Sequence, residues 1–154
     1  MTRPFLILLA AGGSLALLLG AFGFQYLGGL APCKLCLWQR WPHGAAILIG
    51  ALALATRGPA LPLLGGLAAL STAAIGAYHT GVERKLWAGP SSCTGDGGAL
   101  SGLSGGDLLN FDAPTNIVMC DVVPWELFGL SMASYNAIFA TLLAVLWLMA
   151  ARAR

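Results

Sequence analysis

Long intervals without a formal charge are the feature that most restricts how this chain can fold. Arg3 and Lys34 enclose thirty uncharged residues, and two later intervals each run for twenty-five. A fourth interval carries a single charge, Arg40, near its start. A helix needs about 20 apolar residues to cross the hydrocarbon core of a bilayer. The pattern therefore predicts four transmembrane helices, at about 5–27, 37–56, 60–80 and 128–150.

The scarcity of charged residues supports a membrane protein. Charged residues make up 9% of the chain and hydrophobic residues 58%, whereas soluble domains contain about 25% charged residues. Nucleic-acid binding needs a dense basic surface, which a net charge of +2 does not supply. We therefore expect an all-α integral membrane protein, a single membrane domain over residues 1–154 with an antiparallel four-helix bundle, and no nucleic-acid partner.

The distribution of basic residues predicts the orientation in the membrane. Four spans put both termini on the same side as the turn 56–59, and that side carries four positive charges and no negative one. Because cytoplasmic loops carry an excess of Lys and Arg, both termini are expected in the cytoplasm. A cleaved signal peptide is the alternative for the first thirty residues, but their apolar stretch is longer than a usual signal core.

The loop between the third and fourth helices, about 81–126, is predicted to lie outside the cytoplasm. Residues 81–125 are rich in glycine and hold five of the six acidic residues of the chain. A segment of this size and composition is too flexible to bury a core of its own. Within it, residues 99–111 are expected to form a short helix on the membrane surface.

All four cysteines fall on the predicted outer side. Cys33 and Cys36 precede the second span, and Cys93 and Cys120 lie in the loop. An even number of cysteines in a compartment where disulfides persist predicts two disulfides, and three connectivities are open for four cysteines. The context of Cys93, rich in glycine, proline and serine, is typical of an exposed sulfur that another protein's thiolate can attack.

Cys33 and Cys36 form a CxxC motif at the start of the predicted second helix. This spacing permits a readily exchanged disulfide, and a helix start or a nearby cation makes such a sulfur reactive. Arg40 lies four residues after Cys36, which is one helical turn if the helix already runs there, although Pro42 disturbs this expectation. Two alternatives are structural disulfides and a zinc site; the second is disfavoured because the other two cysteines lack the close spacing of zinc ligands.

Together these features resemble the DsbB family, bacterial inner-membrane proteins that reoxidise a soluble periplasmic thiol oxidase with a membrane quinone. The resemblance covers nearly the whole chain. It rests on CxxC followed by Leu37-Trp38-Gln39-Arg40, on Tyr78-His79, on Pro90 to Cys93, on Cys120-Asp121 followed by Trp125, and on Gly129 to Ala133 with Asn136. Gln39 departs from the family pattern, in which Glu often precedes the arginine.

The resemblance implies a quinone-dependent thiol oxidase, with ubiquinone or menaquinone as cofactor and a DsbA-like periplasmic thiol oxidase as partner. Cys93 would be the residue attacked by the partner's thiolate, with Cys120 as its disulfide mate. Electrons would then pass to Cys33 and Cys36. Cys36 would be the thiolate that meets the quinone, and Arg40 would stabilise the thiolate and the charge that develops on the quinol. A non-catalytic membrane scaffold with two structural disulfides is the alternative.

Further polar and aromatic residues have two interpretations each. His79, at the outer end of the third span, either lies at the interface with a structural role or hydrogen-bonds a quinone oxygen in the cofactor site. His43 is expected to be structural, and Asn136 is expected to make an interhelical hydrogen bond. Four tryptophans near the outer ends of the helices are expected to anchor the protein at the membrane interface.

Overall fold

The computed structural model describes residues 2–90, Cys93 and residues 118–153, and this part of the chain is mostly helical. Most of the predicted loop, including the surface helix expected at 99–111, lies outside the described residues. A two-stranded antiparallel sheet lies directly before the last helix. The elements within the described residues are α1 (Arg3–Tyr26), α2 (Lys34–Ala55), α3 (Ala60–Glu83), β1 (Glu126–Leu127), β2 (Leu130–Ser131) and α4 (Met132–Arg152).

Among the described residues, the helices α1, α3 and α4 are long and apolar enough to cross a membrane. Helix α2, which the sequence predicts as the second span, is more polar. Its first half carries Lys34, Gln39, Arg40 and His43, and it contains Pro42 in its interior. Gln39 and His43 are buried, so α2 turns these polar side chains toward the other helices.

Side-chain caps explain where α2 and α4 begin. The Cys33 side chain accepts a hydrogen bond from the Cys36 N–H, and the Ser131 side chain accepts one from the Ser134 N–H. Such caps satisfy N–H groups that have no partner in the first helical turn. Helix α2 therefore begins at Lys34, before the predicted start at 37, and Cys36 belongs to its first turn.

The fourth helix begins later than the sequence predicts. The predicted span starts at 128, whereas residues 126–131 form the hairpin and α4 starts at Met132. Phe128 and Gly129 make the turn with positive φ angles of 51° and 74°. A bulky residue rarely adopts this conformation, so the sequence pattern of Phe128 gives no sign of a turn.

Helices α1 and α3 each pack mainly against α2 and α4. Arg3, at the start of α1, donates hydrogen bonds to the carbonyls of Thr56 and Gly58 in the α2–α3 turn. Arg40, in the second turn of α2, donates to the side chain of Gln25 near the end of α1. The start of α1 therefore lies beside the α2–α3 turn, and its end lies beside the start of α2.

Two buried apolar clusters hold the helices together. One is centred on Trp147 of α4, which is fully buried among residues of the other helices that include Leu6 and Ala53. Gly65 allows α3 to approach this ring closely, because a Cβ added there would lie 2.6 Å from Trp147 Cε2. The second cluster surrounds the cysteines and forms the base of the site described below.

We expect Gly65→Ala to lower the free energy of unfolding by about 1–3 kcal/mol, the usual cost of overpacking a core. The matched control is Gly12→Ala in α1, where an added Cβ meets nothing within 4 Å. The two variants should be compared with the parent protein in detergent by titration with a denaturing surfactant, followed by circular dichroism. Equal stability of the two variants would contradict the close packing of Gly65 on Trp147.

Candidate redox site

The start of α2 holds the first cysteine pair. Cys33 caps the helix and Cys36 lies in its first turn, and their sulfurs are 2.9 Å apart. Both residues are free thiols, whereas the sequence predicts that all four cysteines form disulfides. The structure therefore contains this pair in its reduced form.

The second pair forms a disulfide between Cys93 and Cys120. The exposed position predicted for Cys93 is wrong, because its side chain is 3% exposed and packs in a cluster that includes Leu35 and Val82. The N–H of Cys120 donates to the carbonyl of Cys93 at 2.8 Å. This hydrogen bond and the disulfide hold the two ends of the loop together, over the start of α2.

The two pairs meet at Cys33. Its sulfur, together with those of Cys93 and Cys120, forms a group whose members all lie within 4.8 Å of one another. The same sulfur is 2.9 Å from that of Cys36. Thiol–disulfide exchange requires a sulfur within reach of a disulfide. Cys33 lies within reach of both sulfurs of the Cys93–Cys120 disulfide and also beside Cys36.

His79, in the last part of α3, lies against the same sulfur. Its Nε2 is 3.5 Å from Cys33 Sγ and 3.8 Å from a carboxylate oxygen of Glu83. Its Nδ1 is 3.0 Å from the side-chain nitrogen of Gln39. The ring is only 3% exposed, so it faces the interior of the helix packing.

A network of buried polar side chains extends from His79 between the helices. Gln39 Oε1 accepts a hydrogen bond from Asn136 Nδ2 at 2.7 Å, and Asn136 Oδ1 lies 2.8 Å from His43 Nε2. Asn136 Nδ2 also lies 3.0 Å from Thr72 Oγ1. The interhelical hydrogen bond predicted for Asn136 is confirmed, and it joins α4 to α2 and α3.

Glu83 is a buried acid at the end of α3, although the sequence places it in the outer loop. It is 8% exposed, and its carboxylate accepts a hydrogen bond from the Ser131 hydroxyl. Its spacing of four residues from His79 puts both on one helix face, and this is the sequence signal that could have identified it. No local signal links Gln39 to His79, because they lie 40 residues apart.

Arg40 is turned toward α1. Its Nη1 donates to Gln25 Oε1 at 2.6 Å, and its guanidinium carbon lies 4.8 Å from the centre of the Phe22 ring. Its Nε is buried and has no hydrogen-bond partner among the described residues. A buried donor without a partner is costly, which marks this N–H as a group that a ligand can satisfy.

A cavity of 340 Å³ lies beside the cysteines, with walls from all four helices and from the segment 118–127. A mainly apolar cavity with a few convergent polar groups is typical of a site for a small organic molecule. Its polar and reactive lining residues include Cys33, Cys36, Arg40, His79 and Glu83. The site residues predicted from the sequence therefore lie together. Four line this cavity, and the other two, Cys93 and Cys120, form the disulfide beside it.

The reduced pair is not symmetric. The hydrogen bond to Cys36, together with burial, raises the pKa of the Cys33 thiol above its ordinary value. The two thiols therefore ionise as a coupled pair, and the second proton is held much more tightly than that of an ordinary thiol.

The site also contains atoms that a metal ion can use. The ligand atoms of Cys33, Cys36 and His79 lie within 4.8 Å of one another. A structural zinc site has four ligands. With Cys93 and Cys120 joined in a disulfide, this group of described residues has one ligand fewer than a structural zinc site needs.

Comparison with protein families identifies a family to which the chain is similar. The family model described as disulfide bond formation protein DsbB matches residues 3–150, nearly the whole chain. No curated protein and no solved structure matches the chain.

The position of Cys33 predicts which cysteines can bond across the two pairs. In a protein with Cys36→Ser and Cys93→Ser, mild oxidation should join Cys33 to Cys120 in most molecules, because their sulfurs lie within 4.8 Å. The matched control, Cys33→Ser with Cys93→Ser, leaves Cys36 and Cys120 and should form a disulfide in only a small fraction. Alkylation followed by mass spectrometry measures both yields. Equal yields would show that Cys33 is not the meeting point.

Proposed function

The chain belongs to the DsbB family of disulfide bond formation proteins, and from this premise we propose that it is a membrane thiol oxidase. It reoxidises a DsbA-like periplasmic dithiol oxidase by disulfide exchange and passes the electrons to a membrane quinone, ubiquinone or menaquinone. One observation carries the proposal. Cys33 lies within reach of the Cys93–Cys120 disulfide and also lines the cavity that contains Arg40.

We place the protein in the bacterial inner membrane as an antiparallel four-helix bundle, with both termini in the cytoplasm and the cysteines and loop 81–126 in the periplasm. The contact of Arg3 with the α2–α3 turn supports this, because it gathers basic residues at one end, as on cytoplasmic faces.

Helix α2 also crosses the membrane. Its Gln39 and His43 are buried and hydrogen-bonded to other helices, which is how polar groups are tolerated in a bilayer.

The partner protein enters the reaction at the loop disulfide. A partner thiolate attacks Cys93 Sγ, the Cys93–Cys120 bond breaks, and Cys120 leaves as a thiolate. The partner's second thiolate then attacks its own sulfur in the mixed disulfide, and Cys93 leaves. Because Cys93 is 3% exposed, the loop segment has to move away from Leu35 and Val82 before the first attack.

The electrons then pass to the CxxC pair through Cys33. In the oxidised Cys33–Cys36 pair, Cys120 attacks Cys33 Sγ and Cys36 leaves as a thiolate. Cys93 next attacks Cys120 Sγ, the Cys33–Cys120 bond breaks, and Cys33 leaves and takes up a proton. The product is a Cys93–Cys120 disulfide beside two free thiols, the same arrangement of bonds as in the structure.

The residues around the cavity fit a quinone. Arg40, Cys36 and the apolar walls of the cavity would hold a quinone, which would supply the two-electron oxidation that joins Cys33 and Cys36 in a disulfide, with the quinol's protons coming from the thiols and from water. The buried Nε–H of Arg40 has no partner among the described residues and can bind a quinone oxygen, while Gln25 and Phe22 hold the guanidinium in place. Cys36 lines the same cavity, beside the sulfur of Cys33.

A non-catalytic scaffold is the second candidate, and the burial of the Cys93–Cys120 disulfide favours it. Structural disulfides are covered and resist reduction, with potentials below about −300 mV. The unbonded Cys33 and Cys36 argue against a scaffold, because two free thiols within 2.9 Å of each other add no covalent restraint.

We expect Cys36→Ser to abolish catalytic quinone reduction. The assay mixes detergent-purified protein, an excess of reduced DsbA-like dithiol protein and a soluble ubiquinone analogue, and follows the quinone absorbance. As an internal control, the variant should still oxidise about one equivalent of the dithiol protein through Cys93–Cys120, which shows that it is folded. Full turnover by the variant would refute the relay. A parent protein that reduces no quinone and keeps its disulfide would favour the scaffold.

We expect Arg40→Met to lower kcat/KM for the quinone about ten- to hundredfold, because a hydrogen bond from a charged group contributes about 1.5–3 kcal/mol. Arg57→Met, in the turn at the other end of the helices, is the control and should retain the parent value. Single-turnover oxidation of the dithiol protein by the loop disulfide should be unchanged in both variants. An unchanged kcat/KM in Arg40→Met would remove Arg40 from the proposed quinone site.

A further inference from the structure

Five buried or partly buried side chains form a continuous hydrogen-bonded chain that ends at the reactive cysteines. The chain runs through His43, Asn136, Gln39, His79 and Cys33, with successive distances of 2.8, 2.7, 3.0 and 3.5 Å. It continues over 2.9 Å from the sulfur of Cys33 to that of Cys36. The proposed catalytic scheme uses only the cysteines and Arg40, so the role of the side chains behind His79 is open.

The orientation of the Gln39 amide follows from its neighbours. Its Nε2 faces the carbonyl oxygen of Leu35 at 3.2 Å and the Nδ1 of His79 at 3.0 Å. Its Oε1 faces the Asn136 amide nitrogen at 2.7 Å. Exchanging the two amide atoms would set oxygen against oxygen at Leu35 and nitrogen against nitrogen at Asn136. Gln39 is therefore a donor toward His79.

The Asn136 amide is fixed in the same way. Its Nδ2 lies 3.3 Å from the carbonyl oxygen of Thr72, which only a donor can face. Its Oδ1 consequently accepts the N–H of His43 at 2.8 Å. The two amides therefore hold each other in a single orientation, and all donors in the chain point toward the cysteines.

This direction determines where His79 carries its proton. Neutral histidine has one N–H, and the nitrogen that accepts a hydrogen bond is the one without it. Because Nδ1 accepts from Gln39, the proton is on Nε2. That N–H faces the sulfur of Cys33 at 3.5 Å, the Glu83 carboxylate at 3.8 Å and the backbone of Cys120.

We propose that Gln39 is a positioning residue that fixes the His79 tautomer, so that His79 donates its Nε2–H to the sulfur of Cys33. The sulfur of Cys33 lies 2.9 Å from that of Cys36, so the chain of donors ends on the pair of sulfurs that shares the negative charge of the reduced site. Aligned hydrogen bonds of this kind polarise and strengthen one another. His79 is then a donor in the reduced enzyme and not a base toward Cys33. The His79 tautomer does not depend on the proposed function. Only its effect on the reaction of the cysteines rests on that function.

Gln39→Glu reverses the hydrogen bond between residue 39 and His79. A carboxylate can still accept from Asn136, but toward His79 it can only accept, so Nδ1 has to gain the proton. If Nε2 then loses its proton, the sulfur of Cys33 loses the hydrogen bond that it accepts from His79. Gln39→Met is the companion variant, because it keeps the length of the side chain and removes both amide groups.

Nitrogen NMR of the reduced protein labelled with ¹⁵N-histidine tests the proposal directly. The chain has 2 histidines, and a His79→Gln variant assigns the signals. In the parent protein, His79 should have a protonated Nε2 and a bare Nδ1. In Gln39→Glu its Nδ1 should be protonated, and in Gln39→Met the two tautomers should mix. The signals of His43 should keep a protonated Nε2 in the Glu variant.

A second measurement reports on the cysteines. Alkylation of the reduced Cys33–Cys36 pair at one fixed pH, measured by mass spectrometry, should be about tenfold slower in Gln39→Glu, because the pair loses a hydrogen bond that stabilises its negative charge. Arg57→Met should react at the parent rate.

Two results would overturn the proposal: a parent His79 protonated on Nδ1, or a Gln39→Glu variant that is folded by circular dichroism and leaves Nδ1 bare. Neither quinone nor partner is present in these samples. A parent protein without quinone reductase activity would therefore refute the proposed function and leave the tautomer result intact.

Discussion

The hydrogen bonds between Gln39, Asn136 and His79 are the interaction on which the rest of the structure depends. They join α2, α3 and α4 inside the helix packing, where an unsatisfied polar group is costly. A shift of one of these helices against another would therefore break hydrogen bonds. The observed packing sets His79 against Cys33 and keeps Gln39 and His43 of α2 among the other helices.

In the proposed function, the position of Cys33 explains how two disulfide reactions can be joined in one small protein. Cys33 is in reach of both the loop disulfide and Cys36, so electrons would cross between the pairs by successive exchange without a diffusing intermediate. The 3% exposure of Cys93 would keep other thiols away from this exchange. In the proposed function, movement of the loop segment is then the step that admits the partner protein.

The local features of the site could be predicted from the sequence, and the long-range ones could not. Charge-free intervals indicate helices because a bilayer leaves backbone groups no other partner, and the CxxC motif marks the helix start that Cys33 caps. The burial of Cys93 depends on packing against Leu35 and Val82. The contact of Gln39 with Asn136 spans 97 residues, and Phe128 adopts a backbone conformation that its side chain disfavours. Neither is encoded in a local pattern.

The central claim is that disulfides formed by this protein are made at the expense of a quinone. The most direct test reconstitutes the protein in lipid vesicles with ubiquinone, adds a reduced DsbA-like dithiol protein without oxygen, and counts both products. The account predicts one quinol for each disulfide formed in the dithiol protein, over many turnovers. Oxidation that stops at about one disulfide per protein molecule, with no quinol, would contradict it.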